Sequence, residues 1–509
     1  MRNILTLPLR SVHYLIRVQE IKPYNFYVLL AFSAFTGMAR GLEEILIFAI
    51  PLKNSEVLTF LHFYLSLAII LTAGISAIGG LPWQKVLNVI LVGIFLGIFP
   101  PLIDSLLSGE TQVFYGFFFL HDWREIPWLG YKPEFNFPLG ECITIWLSIF
   151  FSGYYVYYKS RSPWRFLVAS GFAYAGFMLF GSFLPMLVAY LVAGFIPSIQ
   201  TARALDESLL RSIVYYNAFA QIALATFFYL LLRRALLLHL LRRSLHGLPF
   251  VVMALLGAAM AGNITGHVLL AAALVFWGAW MNLVQNRLYD LQDDRADNRE
   301  QISQHDVDFF NVTYLLAVVA IFFTGNQMVI PILLMYPLTF LYNHPAYRGK
   351  KKFPTNLKIE GVWGVGAFVA GALATGKALP SAFPSLALLV FGGFSLIAAL
   401  KDAKDVRNDK RSGTQTLYIK LISSGIHLRT AHRIIFTLCM LAFLVPPVIF
   451  AYVGVYPLSV ILALSTLGAA IFLGRKFPNR RWFAWFLVFT FCYLMVTLLG
   501  LLQQPQILR

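Results

Sequence analysis

The chain has 509 residues, 59% of them hydrophobic, 16% aromatic and only 12% charged. Soluble domains carry about a quarter charged residues, so this composition argues against a soluble globule, a disordered chain or a collagen-like fibre. The net charge of +17, from 40 Lys+Arg against 23 Asp+Glu, would suggest nucleic acid in a soluble protein; on so apolar a chain it reads as basic loops facing the cytoplasm and anionic headgroups.

Apolar runs of roughly 20 residues recur from end to end, the length that crosses a bilayer as helix, and the short alternating segments of a transmembrane barrel are absent. The first 25 residues lack the clean apolar core and small-residue cleavage site of a signal peptide. Arg2, Arg10, Arg17 and Lys22 there fit an interfacial segment on the cytoplasmic side. About six spans are predicted next, over 26–50, 55–80, 86–108, 137–158, 165–196 and 211–232. Arg40, Glu43 and Glu44 interrupt the first; charge at that depth is costly and often functional, but Arg40 and Glu44 are also spaced to pair along one helix face. A mixed-charge, aromatic-rich loop with His121, Asp122, Trp123 and Arg124 follows the third span. The fifth run is too long for one simple crossing and holds Pro185, which predicts a kink or re-entrant piece. Asp104, Glu141, Asp206 and Glu207 are expected near the outer interface. Cys142, Cys439 and Cys492 lie in apolar runs without any CxxC, supporting neither a disulfide framework nor a zinc site.

The segment 233–246, with Arg233, Arg234, Arg242 and Arg243, reads as a basic helix at the cytoplasmic interface joining two membrane domains, 1–232 and 247–509. About nine spans are predicted in the second, over 247–265, 267–286, 305–325, 327–343, 358–376, 382–400, 430–453, 455–474 and 482–503. Charge placement supports that count. Alternate loops are basic: Arg287, Arg295 and Arg299; then Arg348, Lys350, Lys351 and Lys352; then Lys401, Lys404, Arg407, Lys410, Arg411, Lys420 and Arg429; then Arg475, Lys476, Arg480 and Arg481. Between them only Lys377 stands out, and an error of one span would scramble the alternation.

Two acidic clusters fall at the predicted cytoplasmic ends of spans. Asn286, Asp290 and Asp294 are spaced four apart, which keeps them near one helical face. Asp402, Asp405 and Asp409 follow DxxDxxxD, also expected near one face. A solvated loop of mixed charge accounts for any single aspartate; the two clusters together point to Mg²⁺, which takes a few carboxylates and shares substrate phosphates. A diphosphate bridged there would have its developing charge stabilised as its bond to carbon breaks. Arg348, Lys350, Lys351, Lys352, Lys401 and Arg411 are placed to hold the same anion.

On these residues the second domain resembles the UbiA superfamily of intramembrane prenyltransferases. Asn286-x-x-x-Asp290-x-x-x-Asp294 matches that family's first Asp-rich motif, and KDxxDVxxDxxxGxxTL, from Lys401 to Leu417, matches the second. The stretches 341–371 and 242–262 resemble the connection between the fourth and fifth spans and the start of the first. The likeness covers roughly 240–509. The span counts read above agree with it, and together they give an all-α polytopic membrane protein, a nine-helix UbiA-like bundle preceded by an additional transmembrane domain of about six helices. The likeness also implies Mg²⁺-dependent transfer of a prenyl chain from a polyprenyl diphosphate to a lipid-soluble or aromatic acceptor in the bilayer. Carried over by position, Asn286, Asp290 and Asp294 would hold one metal-diphosphate face, and Asp405 and Asp409 the other with Asp402 in support. The chain departs from the family after the first motif, where RADNREQISQHDVDFF replaces a Lys-Pro-x-Arg-Pro-like stretch, and at Asn286-Arg287, where Asn-Asp is usual. The expected location is a prokaryotic plasma membrane, with the site on its cytoplasmic face. Two other readings stay open: transfer of another diphosphate-activated group, such as phosphoribose, to a lipid, and a noncatalytic transporter or scaffold with this fold.

Weaker signals have plainer readings. Gly361, Gly364, Gly366 and Gly371 suggest close helix packing. Tyr342, Tyr347, Trp363 and Phe368 fit either a hydrophobic tunnel that stabilises a cation or ordinary core aromatics. His344 and His427 read as solvated. The domain 1–232 resembles no family.

Overall fold

A computed structural model describes residues 2–21, 26–48, 54–107, 139–193, 207–262, 264–291, 302–474 and 480–503. The loop 109–136 and Asp294 lie outside them, as does the side chain of Asp290. Among the described residues every regular element is helical. Twelve helices there are long and apolar enough to cross a membrane, and the protein is an integral, multi-pass membrane protein.

Two compact units divide the chain, one of residues 1–237 and 315–324, the other of 238–314 and 325–509. The first holds α1 (Arg2–Ile21), α2 (Phe26–Phe48), α3 (Asn54–Gly79), α4 (Trp83–Ile94), α5 (Phe99–Leu107), α6 (Leu139–Ser160), α7 (Pro163–Met178), α8 (Leu184–Ala193) and α9 (Glu207–Leu232). Central α3 packs against α2, α4, α7 and α9, and its Leu67, Ile70 and Leu71 join a core with Val86, Val156, Ala173 and Phe180. Ser162 starts α7 by accepting the Arg165 N–H, with Pro163 at the first helical position. The long fifth run forms one 30-residue span, Pro163–Val192, in which a π-turn over Leu179–Phe183 separates α7 from α8 just before Pro185.

Arg40 is buried, and its guanidinium donates to Glu141 Oε1 at 3.1 Å and to Gly97 O at 3.2 Å. The side chain of Glu44, its expected partner, lies outside the described residues. Asp104, expected near the interface, is also buried and accepts the Gly140 N–H at 2.7 Å. Desolvation is the reason: at membrane depth a charge finds a partner inside the bundle.

The second unit follows from the joint. The division falls inside α10 (Arg234–Arg243), and a bend of 51° separates that basic segment from α11 (Leu248–Ala261). Then come α12 (Gly266–Leu291), α13 (Gln304–Phe322), α14 (Val329–Asn343), α15 (Thr355–Ala374), α16 (Phe383–Asp402), the short α17 (Val406–Ser412) and α18 (Leu417–Ser423), α19 (Leu428–Phe443), α20 (Val445–Tyr452), α21 (Tyr456–Gly474) and α22 (Arg480–Gln503). Helix α11 packs against α12, α15 and α22, and α15 against α14 and α16. Seven of the nine predicted spans meet the full-length criterion; α14 is shorter, and α11 qualifies only together with α10.

The α11–α15 contact explains part of the glycine stripe. A Cβ at Gly371 would collide with Ala254 O, and one at Gly257 with Phe368 O, so the two backbones touch only because both positions lack a side chain. Gly361 and Gly364 face Phe391 and Phe394 of α16, while Gly366 faces Met335 of α14. The stripe thus wraps three neighbours rather than marking a single contact.

Candidate active site

The last turn of α12 carries the first motif. Asn282 and Asn286 sit one turn apart. Asn343, at the end of α14, donates through Nδ2 to Asn282 Oδ1 at 2.6 Å, and Lys350 donates through Nζ to Asn286 Oδ1 at 2.9 Å. The motif's helix face is therefore tied at two successive turns to α14 and the basic loop after it. Asp290 continues that face one turn further on.

In the basic loop, Arg348 adopts the left-handed conformation, φ 47° and ψ 47°, ahead of a 3-10 turn over Gly349–Lys351. A non-glycine residue held there costs on the order of 1 kcal/mol, and such strain concentrates at ligand clamps. The loop also reaches the second motif: Lys351 O accepts the Gln415 N–H at 2.8 Å.

The second motif is built differently from its expected single helical face. Helix α16 stops at Asp402, where the Ala403 N–H already turns back to Leu400 O. Asp405 N–H donates to Asp402 O at 3.0 Å, and Asp409 N–H to Asp405 O at 2.9 Å. Three carboxylates thus come from a helix end, a turn and a new helix. The Gly-x-x-Thr-Leu that follows is local folding chemistry. Gly413, at φ 70°, closes α17 in the left-handed region, and Thr416 opens α18 by accepting the Ile419 N–H.

Asp402 Oδ2 accepts from Asn356 Nδ2 at 3.1 Å. Lys401 is held by Glu360, Nζ to Oε1 at 2.8 Å, and donates to the Tyr342 hydroxyl at 3.3 Å; that hydroxyl donates in turn to Glu360 Oε1 at 3.1 Å. Tyr342 belongs to a buried cluster with Met335, Ile359 and Trp363, against which Phe250 packs. Tyr347, by contrast, is exposed, and Phe368 stacks on Phe383. Asp405 is half-exposed, with Lys404 Nζ at 3.9 Å. Burial pushes the Asp409 carboxyl up to about 6; the charge of Asp405 adds to this and Lys351 opposes it. Lys352 and Arg411 are exposed at the same end.

Of the residues singled out in the sequence, Asn286, Lys350, Lys351, Asp402, Asp405 and Asp409 are joined through this network. Lys401 is instead engaged by Glu360. Asn282, Asn343, Asn356 and Glu360 were not anticipated. Glu360 had a readable signal, an acid inside an apolar helix, and Asn282 another, the first motif's four-residue spacing carried back one turn; Asn343 and Asn356 had none.

Among the described residues no three acidic, histidine or cysteine side chains gather to hold a metal ion by themselves, so a cation here would also need amide oxygens or the remaining aspartates of the first motif. The charge of Asp405 raises the cost of ionising Asp409, which a dication would relieve. The buried Asn343 Oδ1 and Asn356 Oδ1 have no hydrogen-bond partner among the described residues, so oxygen acceptors remain beside both motifs. The donor set is all oxygen, as magnesium requires.

The model of the UbiA prenyltransferase family matches residues 251–495. Both Asp motifs and the basic loop lie inside that UbiA region. No curated protein matches the chain. Among solved structures, a UbiA homologue from Archaeoglobus fulgidus bound to Cd²⁺ is 15% identical, covering 52% of this chain and 98% of its own, with a TM-score of 0.40. The same homologue bound to GPP and Mg²⁺ is 14% identical over 52% of this chain and 99% of its own, with a TM-score of 0.39. A structure of digeranylgeranylglyceryl phosphate synthase in membranes is 18% identical over 54% and 98%, with a TM-score of 0.38.

Proposed function

We propose that the UbiA region is a Mg²⁺-dependent prenyltransferase, moving a prenyl chain from a polyprenyl diphosphate to a lipid-soluble or aromatic acceptor and releasing diphosphate. The observation that carries this reading is the double attachment of one basic loop: Lys350 to Asn286 of the first motif, and Lys351 O to the backbone that follows the second. It brings the loop that carries Lys350 and Lys351 to the ends of both motifs, where their charge would meet a metal-bound diphosphate.

Asn286, Asp290 and Asp294 would hold the metal on one side, and Asp405 and Asp409 on the other. Bound magnesium would neutralise the diphosphate's charge as its bond to the allylic carbon breaks. Lys350 and Lys351 supply point charges to the same anion, and Arg348, Lys352 and Arg411 lie close in sequence to add more. Asp402 and Lys401 are positioning residues, holding the end of α16 through Asn356 and Glu360. Tyr342, Trp363 and Phe250 offer an apolar, aromatic wall beside that end, where a prenyl chain avoids water and an allylic cation meets π faces.

The test is diphosphate release by the purified protein, with and without Mg²⁺, from a panel that includes DMAPP and GPP and longer donors. The expected result is Mg²⁺-dependent consumption of a donor that Asp290→Ala and Asp405→Ala each abolish. No donor consumed, or turnover unchanged in both variants, overturns the reading.

A further inference from the structure

A second feature of the UbiA region lies away from these motifs. A groove of about 450 Å³ runs between α19 and α21, lined by Phe436, Met440, Leu441, Leu467 and Ile471, with Arg433 among the lining residues. Both walls belong to helices long and apolar enough to span the membrane. Leu441, Leu467 and Ile471 are exposed, so the groove opens sideways. Of its two threonines, Thr466 is satisfied within its own helix, donating Oγ1 to Leu462 O at 2.9 Å, and Thr437 is exposed. No acidic residue lines it.

Arg433 stands one turn into α19, near the end where the chain's charge collects. Arg429 precedes it by four residues, on the same face. Among the described residues Arg433 has no ion-pair or hydrogen-bond partner. An apolar slot of small-ligand size, open to lipid and headed by an unpaired guanidinium, is complementary to one class of molecule.

We propose that this groove is a binding site for an anionic phospholipid, with one acyl chain lying between α19 and α21 and the phosphate on Arg433. The charge at the mouth selects the headgroup, and the groove selects a chain rather than a free anion. The site is separate from the Asp motifs and does not depend on their reading.

Native mass spectrometry of the full chain in detergent, titrated with phosphatidylglycerol and phosphatidylcholine of identical acyl chains, tests it. The expected result is a preference for phosphatidylglycerol that falls about tenfold in Arg433→Gln. Leu467→Trp, which fills the slot from an exposed position, weakens binding of both lipids, while thermal melting shows both variants folded. Equal binding of the two lipids by the unmodified chain overturns the proposal. So does an unchanged preference in Arg433→Gln, which would mean that the arginine only extends toward the headgroups, or undiminished binding in Leu467→Trp.

Discussion

In the first unit Arg40 is 2% exposed and its guanidinium meets Glu141 Oε1 and Gly97 O, while Asp104 accepts a backbone N–H. In the second, the Asp405 side chain is 46% exposed with Lys404 Nζ at 3.9 Å, and Asp409 is half-buried with a raised carboxyl pKa that Lys351, on a strained loop, opposes. Both units place charge on helices of apolar sequence. In the first that charge is closed within the bundle, where it holds helices together. In the second it gathers at helix ends with acidic oxygen still reachable. The difference separates charge that stabilises a fold from charge that can take a ligand.

Arg40→Met is the strongest way to probe this contrast. It leaves Glu141 without its buried partner and should cost about 3–5 kcal/mol of stability. The check is thermal unfolding of the purified protein. A variant as stable as the parent would mean that the first unit's charge is not structural.

Next in size, Gly371→Val drives a branched side chain into Ala254 O and separates α11 from α15. About 1–3 kcal/mol is expected, the range for overpacking a filled interior. Melting again reads it, and Gly392→Ala, where a Cβ meets nothing within 4 Å, is the control expected to change little.

Smaller still, Lys350→Met should weaken binding of a prenyl diphosphate about tenfold, the loss of one charge-assisted contact, with no comparable change in melting. Glu360→Gln acts on positioning instead. It loosens Lys401 and the end of α16, and should lower kcat more than donor affinity.

The contrast between the units also explains what the sequence could reveal. Asp290, Asp294, Asp405 and Asp409 stood out because carboxylates are scarce in this chain and theirs recur at helical or near-helical spacing. The alternation of Arg348–Lys352 with the other basic loops supported the count of spans. Partners at long separation were not visible: Glu141 lies 101 residues from Arg40, and Glu360 lies 41 from Lys401. Nor did spacing reveal that α16 stops at Asp402, because DxxDxxxD is compatible with both a continuous helix and a helix–turn–helix. Asn282 extends the four-residue spacing of the first motif by one turn and was legible there, whereas Asn343 and Asn356 are single polar groups whose role depends on three-dimensional neighbours.

The central claim is that the two Asp motifs share one metal-bound diphosphate. Equilibrium binding of an unreactive thiolodiphosphate analogue of GPP, with and without Mg²⁺, tests it without requiring the acceptor. Binding should need Mg²⁺, and Asp290→Asn and Asp405→Asn should each reduce it at least about 100-fold, the scale for losing a preorganised charge contact. Tight binding that survives Mg²⁺ removal, or that survives either substitution, would contradict the account.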